Sequence, residues 1–358
     1  MQTQNLPYLP RLDHLRFYAA FLVFIFHFYH FAAGAKPPGI PDNVLIAIAN
    51  EGYIGVSLFF VLSGFIFTLI CYGKEVRYKE FMINRLLRIF PLFLFMFFVA
   101  ISVGREQFGA ADVFYIFFSN LGHAPTSDTF LTGAAWSISV EFTFYMIFPF
   151  LVTFYSRYGA RYLLKIILIM MAMRYGVYLL HAEIVKPFFS TLLGRLDQFI
   201  IGMLCAGLYI RHKSFFASYV HLVFSVALLL VAVTYLNGRI SMLSGDAHIQ
   251  QWVVWLTVEA ALWGYFILAY LAVPAKYGVK LGRYLCRMGE MSYSIYLMHC
   301  LIVVIWVKKF GVIPMLSSTQ HNLLLNALLA FPLVLLLAHL SYTAIERPFL
   351  TLRRRYVF

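Results

Sequence analysis

Two side chains near the N-terminus have a spacing that would let them act together. Arg16 and His27 are 11 residues apart. That is close to three α-helical turns, so both lie on one helix face, about 16 Å apart along the axis. Histidine can exchange a proton near neutral pH, and arginine can hold an anion. A structural alternative is an arginine that reaches lipid headgroups and a hydrogen-bonded core histidine. His30, one turn farther along, is a rival for any role given to His27.

A second basic pair lies where the chain becomes strongly apolar. Arg85 and Arg88 are three residues apart, so they share one face of a helix. Two guanidinium groups in this arrangement suit bidentate binding of phosphate. The alternative is that they only mark the cytoplasmic end of a span, where basic residues accumulate.

A carboxylate follows in the apolar segment that opens with Trp136. Ser137 and Glu141 are four residues apart and therefore lie on one helix face. A carboxylate within a membrane span needs a partner or must stay protonated. Glu141 could orient a histidine, act as a base itself, or pair with Arg174 or Arg195.

Other polar residues interrupt the later apolar stretches. Tyr296 and His299 belong to a polar stripe, which is either functional or a hydrogen-bonded seam between helices. Arg195 and Asp197 are two residues apart and cannot share a helix face, so each needs a partner elsewhere. Glu346 lies where a proline ends the last predicted helix.

These side chains must be positioned by a very apolar chain. Of its 358 residues, 62% are hydrophobic and 12% are charged, whereas soluble domains carry about 25% charged residues. A soluble enzyme is therefore excluded. The apolar blocks are about 20 residues long, which matches the hydrocarbon core of a bilayer. The sequence predicts an all-α, polytopic transmembrane helix bundle. Ten spans are predicted near residues 14–33, 52–72, 89–104, 135–156, 162–181, 188–210, 217–236, 251–273, 289–307 and 322–343.

The basic residues are distributed unevenly between the predicted loops. Of the 28 Lys and Arg residues, 20 belong to alternate gaps counted from the N-terminus, and 6 belong to the other gaps. This bias predicts that both termini are cytoplasmic. The net charge of +13 is thus a topology signal, which disfavours nucleic-acid binding.

The chain shows no sign of division into parts. It has no long Gly/Ser-rich or Pro-rich linker and no internal repeat, so residues 1–358 are expected to form one integral-membrane domain. Its four cysteines have no CxxC spacing. Neither a disulfide framework nor a metal site is predicted.

Seven segments, taken in order, resemble the acyltransferase-3 family of bacterial membrane acyltransferases, which modify surface glycans. They are LRFYAAFLVFIFHF at 15–28, GYIGVSLFFVLSGFIFT at 52–68, RLLRIFP at 85–91, WSISVEFTFY at 136–145, RLDQFIIGMLCAGLY at 195–209, SYSIYLMH at 292–299 and ERPF at 346–349. Members often carry a further span and a soluble domain after the bundle, and this sequence stops before either.

The resemblance implies a ten-helix bundle that uses cytoplasmic acyl-CoA, with acetyl-CoA as the expected form, as co-substrate, with no permanently bound cofactor. It implies that His27 is catalytic and that Arg16, Arg85 and Arg88 serve the acyl donor. Glu141 is also a functional position by this match. The expected acceptor is a glycan or a lipid-linked sugar on the opposite side of a bacterial cytoplasmic (inner) membrane.

The chemistry of that transfer suggests a division of roles. A histidine such as His27 can take the proton from a sugar hydroxyl as it attacks the thioester, and Glu141 could fix the imidazole tautomer. Trp136, Ser137 or Tyr296 could donate hydrogen bonds to the oxyanion. Direct transfer and an acyl-histidine intermediate are both open. Supporting roles are expected for Trp136, Ser137, Arg195, Tyr296, His299 and Glu346.

A second function class is a proton-coupled transporter or flippase. It would use the intramembrane groups Glu141, His27 and His299 as a proton relay. Such folds often show paired repeats with broken helices, which this sequence lacks.

Overall fold

The computed structural model describes residues 8–34, 41–103, 136–180, 188–237, 250–274 and 279–358. These segments are almost entirely helical, and they contain no β-strand beyond one isolated bridge. Nine of their helices are long and apolar enough to cross a membrane. The predicted all-α, polytopic class is therefore confirmed.

The helices are named here in chain order. They are α1 Pro10–Ala33, α2 Val44–Asn50, α3 Ile54–Cys71, α4 Tyr78–Val103, α5 Trp136–Tyr158, α6 Ala160–Leu180, α7 Leu192–His212, α8 Tyr219–Tyr235, α9 Trp252–Ala272, α10 Val279–Glu290, α11 Ser292–Phe310 and α12 Thr319–Ser341. The last helix continues through a π-helical turn, Tyr342–Glu346, into α13, Arg347–Leu350.

Two of the ten predicted spans differ from the helices observed. The eighth helix, α8, is apolar but has only 17 residues, so it is shorter than the nine full-length spans. The third span was predicted near 89–104, whereas α4 already begins at Tyr78. Hydropathy detects only the apolar part of a helix, and the polar first turns of α4 still satisfy their backbone by helical hydrogen bonds. Arg85 and Arg88 therefore lie inside α4 and not before it.

Several helices begin at a capping side chain. Asn43, Thr191, Ser218 and Ser318 each accept a hydrogen bond from a backbone N–H in the first turn of the helix that follows. Pro10 occupies the first turn of α1, where its missing N–H costs nothing. These local signals fix where the helices start.

The centre of the bundle depends on close contact between α3 and α7. A Cβ atom placed on Gly64 would lie 1.9 Å from the Phe199 carbonyl oxygen, and one on Gly202 would lie 2.0 Å from the Val61 carbonyl oxygen. Glycine at both positions lets the two backbones touch, as is common where helices pack in membranes. The contact brings α7 against the helix that also packs on α1.

The starts of α1 and α4 and the end of the last helix meet at one end of the bundle. The Asn84 side chain both donates to the Arg354 carbonyl (2.6 Å) and accepts from the Arg354 N–H (2.9 Å). Val357 forms an antiparallel bridge with Val76, and the buried Tyr356 ring packs near this junction. Residues 351–358, the return segment, are thereby fixed across the start of α4.

We expect Gly202→Leu to lower the apparent melting temperature of the detergent-purified protein. The new side chain would have to displace backbone atoms of α3, and overpacking of this kind costs about 1–3 kcal/mol or more. Gly176→Leu is the matched control, because nothing lies within 4 Å of a Cβ at that position. Equal melting temperatures for the two variants would contradict the close contact between α3 and α7.

Candidate active site

A cavity of about 400 Å³ opens at the bundle end where the return segment is fixed. It runs inward between α1, α3, α4, α5 and α11, and its inner part is lined by Ser137 and Tyr296. Among the described residues, its wall carries six arginines and three carboxylic acids, which are Arg16, Arg85, Arg88, Arg347, Arg353, Arg354, Asp13, Glu141 and Glu290. A wall with this surplus of positive charge attracts anions.

Two of these arginines are oriented by ion pairs. An Arg16 Nη donates to Asp13 at 2.8 Å, one helical turn away, and an Arg88 Nη donates to Glu346 at 2.8 Å. Glu346 is buried and also accepts from the hydroxyl of Ser294. Each guanidinium has five N–H donors, so one carboxylate leaves donors for a ligand. Glu346, predicted as a supporting residue, positions Arg88.

Arg85 is held differently. Its guanidinium lies 4.6 Å from the ring centre of Phe67, 5.5 Å from that of Phe81 and 5.7 Å from that of Tyr145. Within the part of the chain that the structure describes, it forms no ion pair with a carboxylate, and its Nε has no hydrogen-bond partner. Cation–π contacts of this kind fix the position of an arginine while its donors stay available.

The inner end of the cavity is formed by two hydroxyl groups. Ser137 Oγ and the Tyr296 hydroxyl are 2.7 Å apart, within hydrogen-bond distance. Trp136, which precedes Ser137, does not line the cavity and packs against Phe189 with 5.1 Å between ring centres. Of the three predicted oxyanion donors, the structure places Ser137 and Tyr296 together on the wall.

Beyond Tyr296 lies a pair of histidines. His27 Nδ1 is 3.0 Å from His299 Nε2, and it is also 2.9 Å from the Val23 carbonyl oxygen. His299 Nδ1 is 3.2 Å from the Ile295 carbonyl oxygen. A carbonyl can only accept, so both Nδ1 atoms carry the proton, and the single Nδ1–H of His27 is shared between the Val23 carbonyl and His299 Nε2. This assignment leaves the lone pair of His27 Nε2 available to a substrate.

The histidine pair is adjacent to the cavity but does not line it. Tyr296 lines the cavity, and its ring centre is 5.9 Å from that of His299. His299 is fully buried, whereas His27 is half-buried. The rival residue His30 lies apart from this pair, with Nε2 3.0 Å from the Asn50 carbonyl oxygen.

Glu141 does not take the partner expected for it. Its carboxylate accepts a hydrogen bond from Ser63 Oγ at 2.5 Å, and both residues line the cavity. The described contacts of His27 include His299 but not Glu141, and those of Glu141 include neither Arg174 nor Arg195. The observed partner is thus a hydroxyl on the neighbouring helix α3.

One set of side chains near the site could hold a metal ion. His27, His299 and Cys300 offer three ligand atoms within 4.8 Å of one another, and imidazole and thiolate ligands suit zinc or copper. The hydrogen bond between the two imidazoles already accounts for their short separation. The expectation that the protein binds no metal stays a prediction.

The other charged residues within the spans form a separate network. Arg174 and Asp197 are both fully buried and are joined by a 2.5 Å ion pair. Arg195 donates to Ser57 at 3.1 Å and to the Phe189 carbonyl at 2.8 Å. None of the three charged side chains lines the cavity. The structure therefore does not bring Arg195, predicted as a supporting residue, to the cavity.

Three arginines of the cavity wall, Arg347, Arg353 and Arg354, were not predicted from the sequence as site residues. Arg353 lies in the return segment and lines the cavity with Arg16, Arg85 and Arg88. Burial, together with the positive charge of these three neighbours, lowers the pKa of Arg353. In the sequence it stands in a run of three arginines, which indicated only the cytoplasmic side of a span.

Breaking the buried ion pair should destabilise the protein. Arg174→Met leaves Asp197 without its counter-charge, and removing one member of such a pair costs about 3–5 kcal/mol. We expect a lower apparent melting temperature in detergent for this variant. The double variant with Asp197→Leu should recover much of the loss, because no buried charge is left unpaired. Equal melting temperatures for the single variant and the unmodified protein would contradict a structural role for the pair.

Comparison with known proteins places the chain in a family. The acyltransferase-3 profile, described as an acyltransferase domain, matches residues 9–343. The O-acetyltransferase OatA of Staphylococcus aureus (strain NCTC 8325 / PS 47) is 24% identical over 95% of the chain and 57% of the relative. The peptidoglycan O-acetyltransferase OatA of Listeria monocytogenes is 25% identical over 95% of the chain and 56% of the relative.

The chain thus spans somewhat more than half the length of these curated relatives. No solved structure matches it. The family profile covers nearly all of the helical bundle, including the cavity wall up to Tyr342 and both histidines. The chain belongs to the acyltransferase-3 family of membrane proteins.

Proposed function

We propose that this protein is an O-acyltransferase that moves an acyl group, most simply acetyl, from acyl-CoA to a hydroxyl of a cell-envelope glycan. One observation carries the proposal: an arginine-lined cavity leads to Ser137 and Tyr296, next to the histidine pair His27–His299. The relatives, which are named as an O-acetyltransferase and a peptidoglycan O-acetyltransferase, agree with it.

The donor would bind from the arginine-rich end of the bundle. The phosphates of CoA are polyanionic, and Arg16, Arg85 and Arg88 can hold them by charge-assisted hydrogen bonds. The narrow pantetheine arm could then extend along the cavity between the helices. Since basic loops stay on the cytoplasmic side, this end of the bundle would face the cytoplasm of a bacterial cell, where acyl-CoA is made.

The histidine pair supports general-base catalysis. The acceptor hydroxyl would lose its proton to His27 Nε2 as its oxygen attacks the thioester carbonyl carbon. The C–S bond then breaks, and the departing CoA sulfur takes the proton back from His27. His299 Nε2 accepts from His27 Nδ1–H, so it would hold the imidazole in its tautomer and stabilise the imidazolium. This is the part that an acidic residue plays in many catalytic triads.

Tyr296 would have to move during the reaction. It is hydrogen-bonded to Ser137 on the cavity wall, and its ring centre is 5.9 Å from that of His299. Rotation of this side chain would admit the thioester, and it would free two hydroxyl donors to stabilise the oxyanion. Glu141 lines the same cavity and would fix the orientation of Ser63, whose hydroxyl donates to it.

The acceptor would arrive from the other end of the bundle. His27 lies 11 residues beyond Arg16 along α1, which is about 16 Å at 1.5 Å per residue. A donor held by the arginines and an acceptor on the opposite side could therefore meet at His27. The names of the relatives favour a glycan hydroxyl of the cell wall as the acceptor.

The direct test is acyl transfer by the purified protein. Labelled acetyl-CoA and peptidoglycan fragments should give an acetylated product, and His27→Ala should lower its rate by about 10²–10⁴-fold, the contribution of a positioned base. His30→Ala is the matched control and should keep most of the activity, because His30 contacts the Asn50 carbonyl and not the pair. A transporter would give no covalent product. An active His27→Ala together with an inactive His30→Ala would move the base to His30.

His299→Gln tests the positioning role of the second histidine. We expect kcat to fall while the KM for acetyl-CoA changes little, because His299 contacts His27 and not the cavity. A glutamine can still accept a hydrogen bond through its amide oxygen, so His299→Leu should lose more activity than His299→Gln. Equal losses in the two variants would argue for a packing role only.

A further inference from the structure

The return segment brings Arg353 to a defined place on the cavity wall. The backbone of its neighbour Arg354 donates one hydrogen bond to the Asn84 side chain and accepts another from it. Tyr356 is buried against Phe81 with 5.4 Å between ring centres. Asn84 and Phe81 both lie in the first turns of α4. The segment is thus tied to the same helix that carries Arg85 and Arg88.

The three arginines of this segment face different surroundings. Arg353 is half-buried and lines the cavity. Arg355 is exposed; it donates to the Val357 carbonyl, and its guanidinium lies 5.2 Å from the ring centre of Phe358. Arg354 also lines the cavity but is exposed, so Arg353 is the one of the three that is partly buried. A general attraction of basic residues to a membrane surface would not account for that burial.

Arg353 also lies among like charges. The guanidinium groups of Arg16, Arg85 and Arg88 act on it, and together with burial they lower its pKa. Asp13 and Glu346 pair with two of these neighbours, and the described wall as a whole carries six arginines against three carboxylic acids. Bringing like charges together at a partly desolvated site is unfavourable unless anions fill the space between them.

We propose that Arg353 is a fourth phosphate-binding arginine of the donor site, held there by the return segment. This role of Arg353 rests on the proposed function, because it assumes that acyl-CoA is the donor. The site would recognise the phosphorylated nucleotide part of CoA, with its diphosphate and 3′-phosphate, in addition to the thioester. Residues 351–358 would then form one wall of that subsite.

The test compares two donors that carry the same thioester. The full chain in neutral detergent is assayed with acetyl-CoA and with acetyl-pantetheine, which has no phosphate. Arg353→Gln should raise the KM for acetyl-CoA by about tenfold or more, the loss expected for a hydrogen bond between charged groups. It should leave kcat/KM for acetyl-pantetheine unchanged, and Arg85→Gln should act in the same direction.

Arg355→Gln is the matched control, since it removes the same charge from the same segment without touching the cavity wall. It should leave both donors unaffected. Arg353→Lys keeps the charge and should fall between the unmodified protein and Arg353→Gln. Equal effects of Arg353→Gln and Arg355→Gln on acetyl-CoA, or equal losses with both donors, would overturn the proposal.

A binding measurement separates this proposal from the proposed function. Adenosine 3′,5′-bisphosphate, which carries two of the donor phosphates, should bind to the unmodified protein and bind at least about tenfold more weakly to Arg353→Gln. Acyl transfer could fail while this result still held, and that would contradict only the function. Unchanged nucleotide binding, with loss of co-purified phosphatidylglycerol from Arg353→Gln, would assign Arg353 to a lipid headgroup and overturn the proposal.

Discussion

The structure depends on one constraint, which is the high free-energy cost of leaving a charged group unpaired in an apolar bundle. Two sets of charged residues meet it differently. Arg174 and Asp197 neutralise each other in a closed pair away from the cavity. The positive charge of the cavity wall is only partly neutralised, since Arg16 and Arg88 each form an ion pair with a carboxylate and Arg85 packs against aromatic rings. The first arrangement stabilises the fold, and the second leaves charge available for a ligand.

Much of this could be predicted from the sequence, because the relevant signals are local. Apolar length and low charge predict the helical membrane class, and a three-residue spacing places Arg85 and Arg88 on one face of α4. The partner of His27 could not be predicted, since His299 lies 272 residues away and its approach depends on how α1 packs against α11. The same applies to Arg353, which reaches the cavity only because the chain turns back and bonds to Asn84.

The hydrogen-bond donor to Glu141 differs from the partners that the sequence suggested for this carboxylate. A carboxylate in a span needs a hydrogen-bond donor, and the sequence offered distant histidines and arginines for that purpose. In the structure the donor is Ser63, on the neighbouring helix α3. A serine that donates such a hydrogen bond is difficult to identify from the sequence, because serine is common in membrane helices and does not interrupt the apolar pattern.

The separation of the cavity from the histidine pair has a chemical consequence for the proposed reaction. A thioester is already activated, so a general base exposed to water in the same open cavity would promote hydrolysis of the donor. Tyr296 lines the arginine-rich cavity, contacts His299 on its other side and is hydrogen-bonded to Ser137. If their hydrogen bond opens only when a donor fills the cavity, the base meets the thioester without bulk water. The phosphate contacts at the cavity mouth would then serve a second purpose, because they would hold the donor in place while the inner end opens toward the acceptor.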